Sequence, residues 1–404
     1  MMMRKKKHIL VISQYFYPEQ FRINDICLEW IKRGYQVTVV TGIPNYPMGK
    51  YYEGYGILKK KREHYEEIEI IRLPIVPRGN NVIMLCLNYF SFVVSGLFWT
   101  FFTKIRADEV FIFEVSPMTQ ALPGVWYAGK YKIPCFMYVQ DLWPENVEIV
   151  TGLRNKMILN SIRKMVCYIY HRCSRIFATS PSFVDAIIAQ GAEAQKVVYW
   201  PQYAEDFYRP QESQINKEKD SSFNIYFTGN IGKAQGLDIL PKAAELLKDK
   251  KVKFYIIGDG RYRYEFQQEI ERRNVGHMFN LLGRKLPQEI PELLKDADAA
   301  FISFMDNPLF EKTIPAKLQS YMACGKPIIA SASGETKRII EEASCGKCSP
   351  LGNVEALVAN IKRLMEMSDL KKMSENAFEY YNIHFNKSKL MNEMDYYLGG
   401  TNNV

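Results

Sequence analysis

The chain lacks most of the short motifs that identify a chemistry on their own. Its five histidines are scattered without metal-ligand spacing, and no Gly-x-Ser-x-Gly elbow marks a serine nucleophile. Its one glycine-rich turn after a strand has no Lys-Ser/Thr pair and no dinucleotide-binding spacing. No internal repeat or low-complexity tract is present. These absences argue against a histidine-held metal centre, a serine hydrolase and a P-loop nucleotidase.

Paired cysteines and acidic metal motifs are also scarce. The eight cysteines occur singly in apolar runs, except that Cys345 and Cys348 form one Cys-x-x-Cys. Without a second pair or nearby histidines this is weak support for zinc, so we predict reduced structural thiols in a reducing compartment. Asp296 and Asp298 precede a predicted strand and therefore lie at the wrong sheet end for a metal site. We expect no metal.

A secretory signal is missing, but one long uncharged run is present. The basic start, residues 1–7, leads only into a short apolar strand, His8–Ser13. Residues 79–103 carry no charge and are numerous enough to cross a bilayer. Three interpretations stay open for this run: a membrane span, a helix lying in the membrane interface between Arg78 and Lys104, or a buried helix of a large domain.

The overall composition predicts two soluble globular domains. The chain has 404 residues, of which 47% are apolar and 24% charged. Its net charge of +9 suits an anionic substrate or an anionic membrane surface as well as nucleic acid. We expect no nucleic-acid partner.

Alternating strands and helices predict two parallel sheets, each covered on both faces. The first series runs through residues 1–204, a polar stretch at 205–222 reads as a linker, and a second series occupies 223–379. In such sheets ligands bind beyond the carboxyl ends of the strands. The predicted strands are Ile9–Ser13, Gln36–Thr41, Glu69–Leu73, Glu109–Phe113, Cys135–Val139, Arg175–Thr179, Phe223–Thr228, Val252–Ile257, Met278–Leu282, Ala299–Ser303 and Pro327–Ala330.

Several post-strand segments carry candidate chemistry. Thr228–Gly236 is glycine-rich and is predicted to open a helix, so its backbone N–H groups and Lys233 suit an anion such as a diphosphate. Glu311 and Lys317 lie in a loop and helix start that we expect to face this turn. Asp141, after another strand, is a candidate proton acceptor, with a helix N-cap as the alternative reading.

Five segments together resemble retaining glycosyltransferases of family 4. Within that family the chain looks closest to the WbuB-type enzymes of bacterial O-antigen and capsule assembly. The resemblance implies the GT-B fold: two doubly wound, Rossmann-like α/β domains facing across a cleft, with a last helix, about residues 380–404, crossing back to the first domain. The matching segments are 15–24, 41–47, 140–145, 227–235 and 314–325.

The resemblance also implies roles for individual residues. Asp141 and Glu311 are expected to be catalytic. The expected donor diphosphate contacts are Gly229, Asn230, Gly232, Lys233 and Lys317; the expected nucleotide and sugar contacts are Gly258, Arg284, Gln319 and Ser320; and the expected acceptor contacts are Tyr17, Glu19, Arg22, Asn24, Trp143 and Glu145. No metal or other cofactor is expected.

The sequence departs from the family pattern at the charged positions. Where many members have an arginine and a lysine on the diphosphate, this chain has Asn230 and Gln235, so Lys233 is the nearest substitute. The family's two glutamates, eight residues apart, fall on Lys312 and Ser320. Glu311 is offset by one residue.

The resemblance implies transfer of an N-acetylated hexose, with N-acetyl-fucosamine as the candidate sugar, from a UDP-sugar to a polyprenyl-diphosphate-linked saccharide. The enzyme would work in the cytoplasm, peripheral on the inner face of the plasma membrane. Two alternatives stay open: a non-hydrolysing UDP-sugar 2-epimerase, which shares the fold, and an inactive membrane-docked assembly scaffold.

Overall fold

A computed structural model describes residues 6–79, 81–211, 222–367 and 369–399, without the side chains of residues 149 and 150. The chain divides into two compact units, residues 1–200 and 201–404. Residues 212–221 of the predicted linker lie outside the described residues. That the final helix returns to the first domain stays a prediction.

The first unit is built on an eight-stranded sheet in the order β3-β4-β2-β1-β5-β6-β7-β8. All neighbours are parallel except β3, which pairs antiparallel with β4 at the edge. Its strands are β1 (His8–Ile12), β2 (Gln36–Gly42), β3 (Arg62–Tyr65), β4 (Ile68–Leu73), β5 (Glu109–Glu114), β6 (Cys135–Val139), β7 (Arg175–Ala178) and β8 (Val197–Tyr199). Its helices are α1 (Arg22–Lys32), α2 (Val82–Phe102), α3 (Ala121–Tyr131), α4 (Glu145–Thr151), α5 (Lys156–Arg172) and α6 (Pro181–Ala189).

The second unit is built on a six-stranded, wholly parallel sheet in the order β11-β10-β9-β12-β13-β14. Its strands are β9 (Phe223–Thr228), β10 (Val252–Ile257), β11 (Phe279–Gly283), β12 (Ala299–Ser303), β13 (Ile328–Ser331) and β14 (Gly346–Ser349). Its helices are α7 (Ile239–Glu245), α8 (Arg263–Arg272), α9 (Ile290–Leu294), α10 (Pro308–Glu311), α11 (Ala316–Ala323), α12 (Gly334–Glu342), α13 (Val354–Glu366), α14 (Lys371–His384) and α15 (Lys387–Tyr397).

The predicted fold class of two doubly wound α/β domains is confirmed. Central strands such as β1, β5 and β6 are buried along their whole length, because helices cover both faces of a parallel sheet. Strand order reverses between β1 and β5 in the first unit and between β9 and β12 in the second. These reversals open crevices beyond the carboxyl ends of the strands, where ligands bind in such folds.

Most of the uncharged run forms helix α2. It buries one stripe, formed by Leu85, Asn88, Phe92, Gly96 and Thr100. Gly96 is needed there because a Cβ atom would lie 2.3 Å from the ring of Pro123 in α3. The other faces remain exposed, and only 17% of the most apolar 18-residue window is buried. A wholly buried core helix, one of the three interpretations, is therefore not what the structure shows.

By length and composition α2 is also the one helix of the described chain that is able to cross a membrane. Its two ends, however, lead into β4 and β5, which belong to the same sheet. A bilayer between those ends would separate strands that are joined through β2 and β1. The fold therefore argues against a span and leaves a surface helix with an apolar outer face.

Candidate active site

The turn after β9 lies at the switch point of the second unit. Tyr321 of α11 fixes the end of the strand, because the backbone N–H and the hydroxyl of Thr228 both donate to its phenol oxygen, at 2.8 and 3.1 Å. Tyr321 is fully buried, as its inward position in the predicted helix required. Helix α11 thus positions the turn on which the predicted diphosphate contacts lie.

Two glycine turns, after β9 and after β10, pack backbone against backbone. A Cβ atom on Gly258, whose φ is +151°, would lie 1.8 Å from the carbonyl oxygen of Gly229. One on Gly260 would lie 2.3 Å from the carbonyl oxygen of Ile231. Only glycine fits at these positions. Gly258 therefore shapes the site by holding Gly229 in place, and direct contact with a nucleotide stays a prediction.

The helix predicted after the turn is present, although it does not begin directly at Gly236. A short 3₁₀ turn, Lys233–Gln235, comes first, and α7 begins only at Ile239. Gly236 ends the 3₁₀ turn in the left-handed region at φ +56°. Its missing side chain lets the carbonyl of Phe304 approach, since a Cβ atom would lie 2.6 Å from that oxygen. Any anion here would be held by the amides of the turn, not by the N-terminus of α7.

Free backbone donors line this turn. The N–H groups of Gly229 and Ile231 are used, because they donate to the carbonyls of Ile257 and Asp259, each at 2.9 Å. Within the described chain, the N–H groups of Asn230, Gly232 and Lys233 donate to no protein acceptor. Consecutive free amides of this kind form a concave site for an anion.

Lys317, at the start of α11, places its ammonium group against the same turn. Its Nζ lies 2.5 Å from Oε1 of Gln235 and 3.9 Å from the ring centre of Phe227. A Cβ atom on Gly229 would lie 3.4 Å from it. Among the described residues no carboxylate lies within 4 Å of this nitrogen. Burial lowers the pKa of Lys317 to about 7. A bound anion would restore the full charge.

Three other residues of this region are satisfied locally or exposed. The side chain of Lys233 is exposed and makes no ion pair within the described chain. Ser320 donates to the carbonyl of Ala316 at 3.2 Å. Gln319 is buried, and its amide nitrogen, once oriented to satisfy its neighbours, donates to Pro315 at 2.8 Å. Roles for Ser320 and Gln319 in nucleotide binding stay predictions.

Glu311 and Arg284 lie at the outer parts of the second unit. Glu311 is exposed at the end of α10, and its carboxylate accepts a long hydrogen bond, 3.4 Å, from Ser333. Gly334 packs on its backbone, since a Cβ atom there would lie 1.9 Å from the carbonyl oxygen of Glu311. Arg284 is exposed directly after edge strand β11. Their roles at a donor sugar or nucleotide stay predictions.

In the first unit, Ser116 joins the loops that follow β5 and β6. Its backbone N–H donates to Oδ2 of Asp141 at 2.7 Å. Its hydroxyl accepts hydrogen bonds from the indole of Trp143 at 3.1 Å and from the amide of Asn146 at 2.5 Å. Trp143 is buried, so its main visible role is to hold this loop. Sequence reasoning did not single out Ser116.

Asp141 is a perturbed carboxylate and not a helix cap. Pro144 occupies the N-cap position of α4, which excludes the alternative reading of Asp141. Burial raises the pKa of Asp141 above its ordinary value, while hydrogen bonds from Ser116 and the charge of Arg78 oppose that rise. Glu114, fully buried behind it, has its pKa raised further by burial and by Asp141. A carboxyl group of raised pKa in a crevice is typical of an acid–base site.

The predicted acceptor residues of 17–24 mainly build the loop. Glu19 is buried and accepts hydrogen bonds from the backbone of Asn45 at 2.8 Å and of Tyr46 at 2.6 Å. Burial raises the pKa of Glu19 to about 7, although these hydrogen bonds oppose the rise. Asn24 donates to the carbonyl of Glu19 at 2.8 Å. Tyr17 stacks on a neighbouring ring at 4.0 Å between centres.

Two further predicted acceptor residues begin helices. Arg22 is the first residue of α1 and is half-buried. Glu145 is the first residue of α4, and its carboxylate accepts two hydrogen bonds from the amide of Gln190, at 3.0 and 2.9 Å. Contact of either residue with an acceptor stays a prediction.

Arg78 is the residue that sequence reasoning missed as part of a site. Its guanidinium donates to the hydroxyl of Tyr15 at 3.1 Å and lies 5.3 Å from the ring centre of Tyr46. Its backbone N–H donates to Oδ1 of Asn45 at 2.9 Å. The available signal was its isolation, because it is the sole charged residue between Arg72 and Lys104.

Metal ligands are not gathered at either site. The described residues contain no group of three or more His, Cys, Asp or Glu side chains able to hold a metal ion. The eight cysteines are free, as predicted. Asp298 accepts a hydrogen bond from the backbone of Asn224 at 2.7 Å, ahead of β12 and away from the carboxyl ends of the strands.

Two family models match consecutive parts of the chain. Residues 20–202 match the model described as a glycosyl transferase 4-like domain, and residues 209–380 match that of glycosyl transferases group 1. Over 384 residues the chain is 24% identical to the putative colanic acid biosynthesis glycosyl transferase WcaI of Escherichia coli K12. The match covers 91% of this chain and 92% of that relative.

Solved structures share the fold. Sucrose-phosphate synthase from Thermosynechococcus elongatus matches with a TM-score of 0.76 and 16% identity over 98% of each chain. HepE of Anabaena, solved in complex with UDP-glucose, matches with a TM-score of 0.70 and 15% identity over 97% of this chain and 99% of that one.

Proposed function

Because the chain is a hexosyltransferase of the GT-B fold and the family 4 type, we propose that it transfers an N-acetylated hexose from a UDP-sugar to a lipid-linked saccharide. The proposed acceptor is a polyprenyl-diphosphate sugar, and the proposed product is a precursor of a bacterial surface polysaccharide. The likeness to the putative colanic acid transferase supports the polysaccharide role. A donor of N-acetyl-fucosamine rests on the resemblance to the WbuB-type enzymes alone.

The donor assignment rests on the turn after β9, whose positive groups meet no carboxylate in the described chain. The free amides of Gly232 and Lys233 lie on this turn, and the shielded ammonium of Lys317, at the start of α11, lies against it. Together they offer positive charge and directed donors in a partly dry site, where such groups stabilise a developing phosphate charge best. That HepE was solved with UDP-glucose is consistent with a UDP-sugar donor.

We propose a reaction that retains the configuration of the donor sugar. The bond between the sugar's anomeric carbon and the phosphate oxygen breaks, and UDP departs with that electron pair. The acceptor hydroxyl oxygen forms the new bond on the same face, and its proton passes to the departing phosphate. Asp141 would orient the acceptor hydroxyl through its carboxylate, and Glu311 would steady the sugar. No metal enters this scheme.

We further propose that the enzyme docks on the cytoplasmic face of the plasma membrane through α2. The outer face of α2 is apolar and aromatic, with Phe98, Phe101 and Phe102 exposed by 59–78%. Exposed cations surround that end of the helix; Lys130 binds the carbonyls of Thr100 and Phe101, and Arg106 lies 4.0 Å from the ring centre of Tyr131. An apolar aromatic face rimmed by cations suits the interface of an anionic bilayer.

One incubation separates the proposal from its alternatives. Purified protein is mixed with a panel of UDP-N-acetylhexosamines, with and without a short lipid-diphosphate-GlcNAc acceptor, and products are identified by mass analysis and NMR. Transfer predicts an acceptor heavier by one N-acetylhexose residue and free UDP. A 2-epimerase would instead convert the UDP-sugar without acceptor. A scaffold would neither react with nor bind any UDP-sugar, which calorimetry would reveal.

A further inference from the structure

In the first unit, several loop residues are gathered around Arg78. Two separate loops converge on this residue: Tyr15 comes from the loop after β1, and Asn45 and Tyr46 come from the loop after β2. Buried Glu19 holds the latter two by accepting their backbone N–H groups. Two of the segments that carry the family resemblance thus serve to position one arginine outside them.

The guanidinium of Arg78 is held but not neutralised. Within the described chain its side chain donates a single hydrogen bond, to the neutral hydroxyl of Tyr15, although a guanidinium carries five N–H donors. No described carboxylate lies within 4 Å of it. The half-buried group is thus partly removed from water without a paired anion. Such an arrangement costs free energy unless an anionic ligand completes it.

Asp141 is near enough to interact electrostatically but does not pair with Arg78. Burial raises the pKa of Asp141 and the charge of Arg78 opposes that rise, but the carboxylate is hydrogen-bonded to Ser116 instead. The charges of Arg78 and Asp141 both act on the pKa of Tyr89 in α2. The ring centre of Tyr89 lies 6.5 Å from that of Trp143. Arg78 and Asp141 thus interact electrostatically without forming an ion pair in the described chain.

We propose that Arg78 binds the phosphate group by which the acceptor sugar is attached to its lipid, while Asp141 meets the hydroxyl of that sugar. This inference rests on the proposed function and deepens it, because it assigns the acceptor's anionic group to a residue. A planar guanidinium suits phosphate because it donates two parallel hydrogen bonds.

The position of Arg78 in the chain favours a lipid phosphate over another anion. Helix α2 begins four residues later, and its first turns expose Val82, Ile83 and Phe90 by 50–73%. A prenyl diphosphate bound at Arg78 therefore finds an apolar surface for its chain on the adjoining helix. A sugar carboxylate would match the cation but would leave that surface unused.

The test uses geranyl diphosphate as a probe that carries diphosphate and prenyl chain but no sugar. The full chain is first saturated with UDP, so that the seat after β9 is filled, and the probe is then titrated by calorimetry. Replacement of Arg78 by Gln should weaken probe binding about 10- to 100-fold, since a charge-assisted phosphate contact is lost. Arg78→Lys should retain more affinity than Arg78→Gln.

The matched control is Arg163→Gln, an exposed arginine of α5 whose charge is the same. It should leave probe binding unchanged, and geraniol should bind the wild type and Arg78→Gln alike. Unchanged diphosphate affinity in a folded Arg78→Gln protein, or an equal loss in Arg163→Gln, would overturn the assignment. Failure of the wild type to bind UDP would count against the proposed function, while the probe titration would still decide the role of Arg78.

A kinetic readout separates binding from a structural role. With an active acceptor, Arg78→Gln should raise the KM for the diphosphate acceptor and leave the KM for the UDP-sugar unchanged. The same saccharide on a neutral alkyl chain should show no such difference between variant and wild type. An equal rise for both acceptors would mean that Arg78 only supports the loop.

Discussion

Lys317 meets no carboxylate within the described chain, although its ammonium group is shielded from water. Burial lowers its pKa to about 7, so a large part of the population is neutral at pH 8. The diphosphate of UDP would favour the charged form and raise this pKa again. Binding of UDP at pH 8 should therefore take up a proton.

Lys317→Met should weaken UDP binding about 10- to 100-fold, because one charged contact with phosphate disappears. Calorimetry in two buffers of different ionisation enthalpy should show proton uptake by the wild type at pH 8 and none by the variant. The control, Lys337→Met, removes an exposed lysine of α12 and should behave as wild type. Unaltered affinity in Lys317→Met would remove Lys317 from the donor site.

Asp141→Asn keeps an oxygen for the N–H of Ser116 but removes the carboxylate charge. We expect turnover to fall about 10²- to 10⁴-fold, the usual worth of a positioned acid–base group, with UDP affinity unchanged. Because the pKa of Asp141 is raised, wild-type turnover should also fall as pH drops through that raised value. Asp185→Asn, at an exposed position of α6, is the control, and full turnover by Asp141→Asn would exclude a catalytic role.

Glu19 predicts a pH dependence of stability. Its folded-state pKa of about 7 exceeds the ordinary value of 4.5, so the protonated form is favoured on folding. That contribution is complete below the ordinary pKa and is lost as pH rises through 7. Glu19→Gln stays neutral and keeps an oxygen for both loop amides, so its melting temperature relative to wild type should be higher at pH 8 than at pH 5. Scanning calorimetry at both pH values checks this, and an equal difference at both would contradict it.

Among the described helices and strands, α2 is the element whose apolar outer surface faces solvent. One stripe packs on α3, yet aromatic side chains on the opposite side face solvent. Replacing Phe98 and Phe101 together by Ser removes apolar area from that outer face and leaves the buried stripe intact. The double variant should bind vesicles that contain phosphatidylglycerol about tenfold or more weakly than wild type, because burying each ring contributes about 1.5–3 kcal/mol.

Co-sedimentation with such vesicles measures the change, and neutral phosphatidylcholine vesicles test the contribution of the cations. Wild type should bind the neutral vesicles less well. The control, Tyr264→Ser, removes an equally exposed aromatic residue of α8 in the second unit. If the double variant sediments like wild type, α2 is not the docking surface.

The elements show which parts of the fold a sequence determines locally. Buried strands such as β1, β5 and β9 were predicted within a residue or two, because a continuous apolar run between turns is typical of a buried strand in an α/β domain. Edge strand β3 was missed, since it pairs on one side only and its residues are polar and half-exposed. The helix predicted to run from about Leu237 begins at Ile239, after Gly236, whose position is fixed by contact with Phe304.

For the sites, residues that belong to a sequence motif were predictable, whereas a residue that matters through tertiary contacts was not. Lys317 and the Gly229–Gly232 turn were found because each lies next to a strand end or helix start, a position that sequence reveals. Arg78 could not be found in this way, because its importance comes from contacts with two loops that lie more than 30 residues away in sequence. Glu19 was singled out from its motif as an acceptor contact, which stays a prediction, whereas the structure shows a buried carboxylate that holds the loop after β2.

In the whole molecule, the proposed chemistry is divided between the two units. The second unit offers a diphosphate seat at the switch between β9 and β12, and the first offers Asp141 and Arg78 at the switch between β1 and β5 and the neighbouring β6. This division relates the net charge of +9 to the binding of phosphate groups. Each site presents a lysine or arginine that no carboxylate of the described chain neutralises, and both proposed substrates carry phosphate.

The most direct test is a crystal structure of the full chain with UDP. We expect diphosphate oxygens within hydrogen-bond distance of the amides of Gly232 and Lys233 and of Nζ of Lys317, with the rest of the turn after β9 unmoved. Diphosphate bound elsewhere in the second unit, or bound at the turn with Lys317 still directed only at Gln235, would contradict the account.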